Sequence, residues 1–199
     1  INFVQHNYAN EIFQTMAKIL RTSVDCNALV DFDIYSNKLK EFFDFSASQG
    51  KIVFSAKVID LYKELIIYVF DKEKEDDWLP KIRDNMKFFS FNTSEIYSDE
   101  ELLKKVYELY YLFLEKIVDK KDLDLYQRVS DELFDFVNRS FPNVNNTAIK
   151  YLKIYNVIHT SNLVETQHTK FIKVHLEFLK EIGELGFNYD NNEIYRFIL

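Results

Sequence analysis

SDEELLKKVYELYYLFLEKIVDKKDLDLYQRVSDELFDFVNRS, from Ser98 to Ser140, decides the fold class. Ser98 and Glu101 have capping-box spacing: the Ser98 hydroxyl accepts from a first-turn amide and Glu101 reaches back to the amide of Ser98. Beyond that cap, Leu102, Val106, Leu109, Tyr110, Phe113, Leu114 and Ile117 recur at three- and four-residue steps, the period of one helix face. Leu103, Tyr107 and Tyr111 widen the stripe to about half the circumference, so the helix needs cover from more than one neighbour and belongs at the centre of the fold. Lys120–Asp122 is a tight turn. Leu125, Val129, Leu133, Phe136 and Val137 then carry a second helix to near Pro142. So short a connection predicts an antiparallel helical hairpin.

The same periodicity extends in both directions. Towards the N-terminus it predicts helices over Asn2–Val24, from an N-cap at Ser36 to a stop at Gly50, and over Lys51–Lys74. A further helix has Asp77 as its cap and Pro80 near its start, and it carries Ile82, Met86 and Phe89. Phe91–Tyr97 reads as a loop. Towards the C-terminus, a polar loop at Asn143–Thr147 precedes helices over Thr147–His159 and Asn162–Glu184, and Asn191–Leu199 reads as a last short helix.

The expected fold is therefore all-α, a multi-helix bundle or irregular array of antiparallel helical hairpins, with a TPR-like α-solenoid as the alternative. Residues 1–199 read as a single all-helical domain, with 1–92 and 93–199 as candidate subdomains. The pairs Asp99–Ser140 and Thr147–Glu184 are similar in length, but they match no repeat consensus, which favours the bundle or irregular array.

Composition excludes much. Average usage would place about 14 Gly and about 10 Pro in a chain of this length; it has 3 and 2. Glycine-rich phosphate loops, dinucleotide fingerprints and serine nucleophile elbows are thereby ruled out. The net charge of −7 has the wrong sign for a general nucleic-acid binder, so no nucleic-acid partner is expected. The longest apolar runs, Leu65–Phe70 and Leu109–Leu114, are six residues, far below the roughly 18 of a membrane span. The lone Cys26 cannot form an internal disulfide, which fits a reducing compartment and a cytoplasmic location. The chain begins at Ile1 without a methionine, which marks it as a processed or excised piece and leaves room upstream for a membrane anchor or second domain.

Two constellations are candidates for chemistry. Glu165 and His168 have the Glu-x-x-His spacing of dimetal bundles, but no second such motif exists to complete the site. His168 and His175 fall on the apolar sector of the expected Asn162–Glu184 helix and lie about 10.5 Å apart along its axis, too far to share one ion. Neither metal nor cofactor is expected, and Glu165, His168 and His175 are the candidate ligand-binding residues. His159, at the expected end of its helix, reads as a C-terminal cap. Tyr107, Tyr110, Tyr111, Tyr151 and Tyr155 form the candidate interaction surface, since tyrosine favours interfaces. These features predict a non-enzymatic helical interaction or regulatory domain with a protein partner. The alternative is a small-molecule sensor or enzyme with a buried pocket around His168 and His175.

Overall fold

A computed structural model describes residues 2–91, 99–140 and 146–188. Among these it is all-helical: α1 (Asn2–Cys26), α2 (Leu29–Ser48), α3 (Ile52–Asp71), α4 (Glu75–Phe91), α5 (Glu100–Lys120), α6 (Leu123–Ser140), α7 (Asn146–Glu165) and α8 (Thr169–Asn188). The chain divides into two compact units, residues 1–88 and 89–199. Ser98 and Asn191–Leu199 lie outside the described residues.

The helices pair as hairpins, and one backbone device makes each hairpin turn. Asn27, Glu73, Lys121 and Gln167 have φ between 54° and 61°, so left-handed residues recur at intervals of 46, 48 and 46. In every turn the amide of that residue donates to the carbonyl three residues back, as Asn27 does to Val24 and Gln167 to Val164. At Asn27, Glu73 and Gln167 the next amide donates five residues back, as Lys74 does to Val69. These bonds satisfy carbonyls that a helix end leaves without partners. The second helix of each pair then opens with the same bond, from the fifth residue after the left-handed one to the first: Phe32 to Ala28, Trp78 to Lys74, Tyr126 to Asp122 and Ile172 to His168. Gly50, at φ 65°, uses the same geometry between α2 and α3, and here glycine removes the steric cost of that conformation.

In the first unit α1 runs parallel to α3, and α2 to α4. Lys57 Nζ donates to Asn10 Oδ1 at 2.6 Å, Arg21 pairs with Glu64, Tyr68 Oη donates to the Asp25 carboxylate at 2.8 Å, and Lys81 pairs with Asp33 at 2.7 Å. These partners lie 43 to 48 residues apart, so one hairpin stacks on the next in register. Lys74 ties the α3–α4 turn to the α1–α2 turn: its ammonium donates to the carbonyls of Val24 and Asp25 at 2.6 and 2.8 Å and to Asn27 Oδ1 at 3.1 Å. The core between the hairpins is aromatic, with Phe32 edge-on to Trp78 at 4.9 Å and both fully buried.

The second unit repeats the parallel stacking of α5 on α7 and α6 on α8. Glu100, Glu108 and Glu115 along α5 meet Tyr151, Tyr155 and Asn162 along α7, at separations of 47 to 51 residues. Tyr126 lies edge-on to Phe171 at 5.0 Å, five and four residues past their turns, much as Phe32 and Trp78 do in the first unit.

Several expectations are corrected. Asp99 caps α5: its Oδ1 accepts from the Leu102 amide at 3.0 Å, one residue beyond the expected Ser98 cap. Ser36 is buried within α2, which starts at Leu29 because Asn27 has already made the turn. Asp77 is inside α4, where Glu75, Asp76 and Asp77 together complement the first-turn dipole. The expected break at 160–161 does not occur. Helix α7 continues to Glu165 and the turn is at Gln167.

Candidate functional site

The second unit has polar side chains at its centre, contributed by all four helices. The Tyr111 hydroxyl on α5 donates to Asn156 Oδ1 on α7. The Tyr126 hydroxyl on α6 is 2.7 Å from His159 Nε2 on α7. His159 in turn meets His175 of α8, ring edge against face, at 4.9 Å, and His175 stacks on Phe178. Asn156, His159 and His175 are all buried. Asn156 Nδ2, His159 Nδ1 and both ring nitrogens of His175 have no hydrogen-bond partner. An unsatisfied buried polar group costs about 1–3 kcal/mol, so this seam is held by the aromatic packing around it.

Burial controls its protonation. Removal from water pushes His159 down to about 4 and His175 to about 3, with nearby His159 adding to the depression of His175. Burial likewise raises the Tyr111 and Tyr126 phenols. At neutral pH both imidazoles are neutral, each with one donor and one acceptor nitrogen.

The structure separates the residues that the sequence grouped. Glu165 is the last residue of α7 and His168 precedes α8, so their spacing crosses a turn and does not define one helix face. His168 is half-buried, edge-on to Phe171. His175 faces the core and its neighbour is His159. His159 is not a C-terminal cap, because α7 runs six residues past it. Tyr107, Tyr110 and Tyr111 are buried inside the bundle, a consequence of the wide apolar stripe of α5. Tyr151 and Tyr155 are partly exposed and donate to Glu100 and Glu108. Among the described residues no three His, Cys, Asp or Glu side chains converge in a way that could hold a metal ion, and no helix is long and apolar enough to cross a membrane.

Helix α7 is inverted. Its inner face carries Asn156 and His159 beside Leu152 and Leu163, all buried, while its outer face carries Ile154, Val157, Ile158 and Val164, all exposed. Val157 is 66% exposed. Val157, Val164 and Leu179 of α8 line an open groove of about 530 Å³ together with Lys153, Asn156 and Thr160, and Leu176, also exposed, shares the Leu179 side of α8. A second, smaller cleft of about 270 Å³ lies on the other side of α7, with His159, Glu165 and His168 among its walls.

The outward apolar stripe of α7 was missed in the sequence. Its signal was there: a helix with apolar residues on both sides predicts cover on both sides. Comparison with protein-family profiles, curated proteins and solved structures gives no match.

Proposed function

We propose that this chain is a protein-interaction domain whose recognition face is the outer side of α7 with the adjoining edge of α8. The observation that carries the reading is the inversion of α7, which buries Asn156 and His159 and presents Ile154, Val157, Ile158 and Val164 to solvent. Contiguous exposed apolar surface on a folded domain marks a place where something docks. The groove beside it suits the apolar face of an amphipathic helix laid between α7 and α8. The stacked hairpins support the same reading, because parallel stacking of helical pairs builds rigid faces for partners.

Charge indicates the partner. Lys153 lines the groove, Lys150 is exposed on the same side of α7, and Lys173 and Lys180 share a face of α8 with Leu176. On α8 Lys180 pairs with Glu184 at 3.7 Å, so the positive charge beside the groove is carried chiefly by Lys150 and Lys153 of α7. The occupant is an amphipathic helix with acidic flanks.

The test is fluorescence anisotropy with amphipathic helical peptides that share one apolar face and carry acidic, neutral or basic flanks. The acidic peptide should bind, and both the double variant Val157→Asp, Val164→Asp and the single variant Lys153→Glu should lose it. Equal affinity for all three flanks, or binding indifferent to these variants, would overturn the proposal. Sedimentation showing a dimer that Val157→Asp, Val164→Asp dissolves would replace the partner by a second copy of the chain.

A further inference from the structure

The two units use their turns differently. In the first, Lys74 follows the left-handed Glu73, and its ammonium donates to the carbonyls of Val24 and Asp25 in the preceding turn. Counted from the left-handed residues, the second unit places Val118 and Asp119 where Val24 and Asp25 stand. It places His168 where Lys74 stands. The residue types match at the first two positions and differ at the third. A histidine is shorter than a lysine, and here a cleft of about 270 Å³ opens between Val118 and Asp119 on one side and Thr166 and His168 on the other.

From this placement we infer that the cleft binds a primary alkylammonium group, supplied from outside the unit, where Lys74 supplies one from within the first. Val118 and Leu163 offer apolar wall for an aliphatic stem, and Glu115, Asp119 and Glu165 bring three carboxylates against the single Lys116, which pairs with Asp119 at 3.9 Å. A second observation is independent of the carboxylates. His159 is only 1% exposed, forms part of the cleft wall and holds its Nε2 against Tyr126, while its Nδ1 has no partner. A donor entering the cleft completes the hydrogen bonding of that ring in the tautomer whose Nε2–H faces the Tyr126 oxygen. The volume is below that of pockets for drug-sized ligands and suits a short chain ending in one ammonium. Glu115 already accepts from Asn162 Nδ2 at 3.2 Å. Burial raises the pKa of its carboxyl above the ordinary value, so a nearby cation stabilises its charged form.

Two sources share this chemistry, a free amine and the lysine side chain of a bound protein. The experiment follows the His159 ring and Asn162 side-chain NMR signals during titration with n-butylamine, with Nα-acetyl-lysine N-methylamide and with n-butanol, which has the same stem without charge. Saturable shifts with the two amines and none with butanol support the inference. Tighter binding of the lysine derivative identifies a protein side chain as the source; tighter binding of butylamine identifies a free amine. Glu115→Gln keeps the bond from Asn162 and should weaken amine binding about tenfold or more, as should Asp119→Asn. His168→Lys should abolish it, because a lysine there brings a second ammonium to the place that Lys74 holds in the first unit. Equal shifts with butanol, or amine binding unchanged in Glu115→Gln and His168→Lys, would overturn the inference.

Discussion

The two units stack their hairpins at almost the same sequence offset but fill the seam between them with opposite chemistry. In the first, Phe32 and Trp78 meet edge to face in an aromatic core, and Ser23 and Ser55, small and buried, return their hydroxyls to backbone carbonyls. In the second, Tyr111, Tyr126, Asn156, His159 and His175 occupy the seam and leave several polar atoms unpaired. Parallel register therefore does not depend on one kind of core. Phe32 and Trp78 carry no group that titrates, whereas the buried His159 and His175 make the second unit's seam sensitive to acid.

The largest effect should come from removing the centre of the aromatic seam. Trp78→Ala should destabilise the protein by about 3–5 kcal/mol, measured by urea denaturation, and the loss should be the same at pH 7 and pH 5. A loss that changes with pH would break the contrast between the seams.

Acid should act on the second unit. The folded pKa values of His159 and His175 lie below the unfolded value near 6.5. The unfolded chain therefore binds the extra protons as pH falls. Stability is complete above about pH 6.5, declines below it by up to about 1.4 kcal/mol per pH unit for each histidine, and levels off below the folded pKa values. His159→Gln with His175→Gln should flatten this decline between about pH 5 and 7. Trp78, the only tryptophan, reports the first unit by fluorescence while histidine NMR reports the second. Imidazole titration near pH 6.5 for both histidines would refute the buried seam.

A cap effect comes next. Asp99→Ala should cost about 0.5–2 kcal/mol by removing the acceptor of the Leu102 amide, seen as a lower denaturation midpoint. An unchanged midpoint would return the cap to Ser98.

The smallest change concerns what the units share. Gln167→Gly and Glu73→Gly should each stabilise by about 0.5–1 kcal/mol, because a side chain at positive φ costs roughly 1–2 kcal/mol and glycine gives back part of that through its freer unfolded chain. Calorimetry of the two variants compares the units directly. Destabilisation in one alone would show that its turn depends on the side chain.

Helix positions were legible in the sequence because apolar spacing reports a buried face. Ile59, Tyr62, Ile66 and Val69, all buried, place α3 to within a few residues. The turns were poorly legible, because Asn27, Glu73, Lys121 and Gln167 adopt a conformation that glycine usually signals. At Ser161–Asn162 the polar pair resembles a cap, yet Asn162 spends its side chain on Glu115 across the helix pair. That misplaced break moved His159 to a helix end and joined His168 to His175. With α7 continuous, His159 turns inward to His175 and His168 falls in the turn.

The amino-acid sequence by itself determined an all-helical chain with a net negative charge and helices of known periodicity, since these follow from local spacing and composition. Tertiary structure alone decided which side of α7 is buried. That helix has apolar residues all around, so its own sequence prefers neither face. Tyr111, Tyr126 and His175, approaching from α5, α6 and α8, draw Asn156 and His159 inward and leave Ile154, Val157, Ile158 and Val164 facing out.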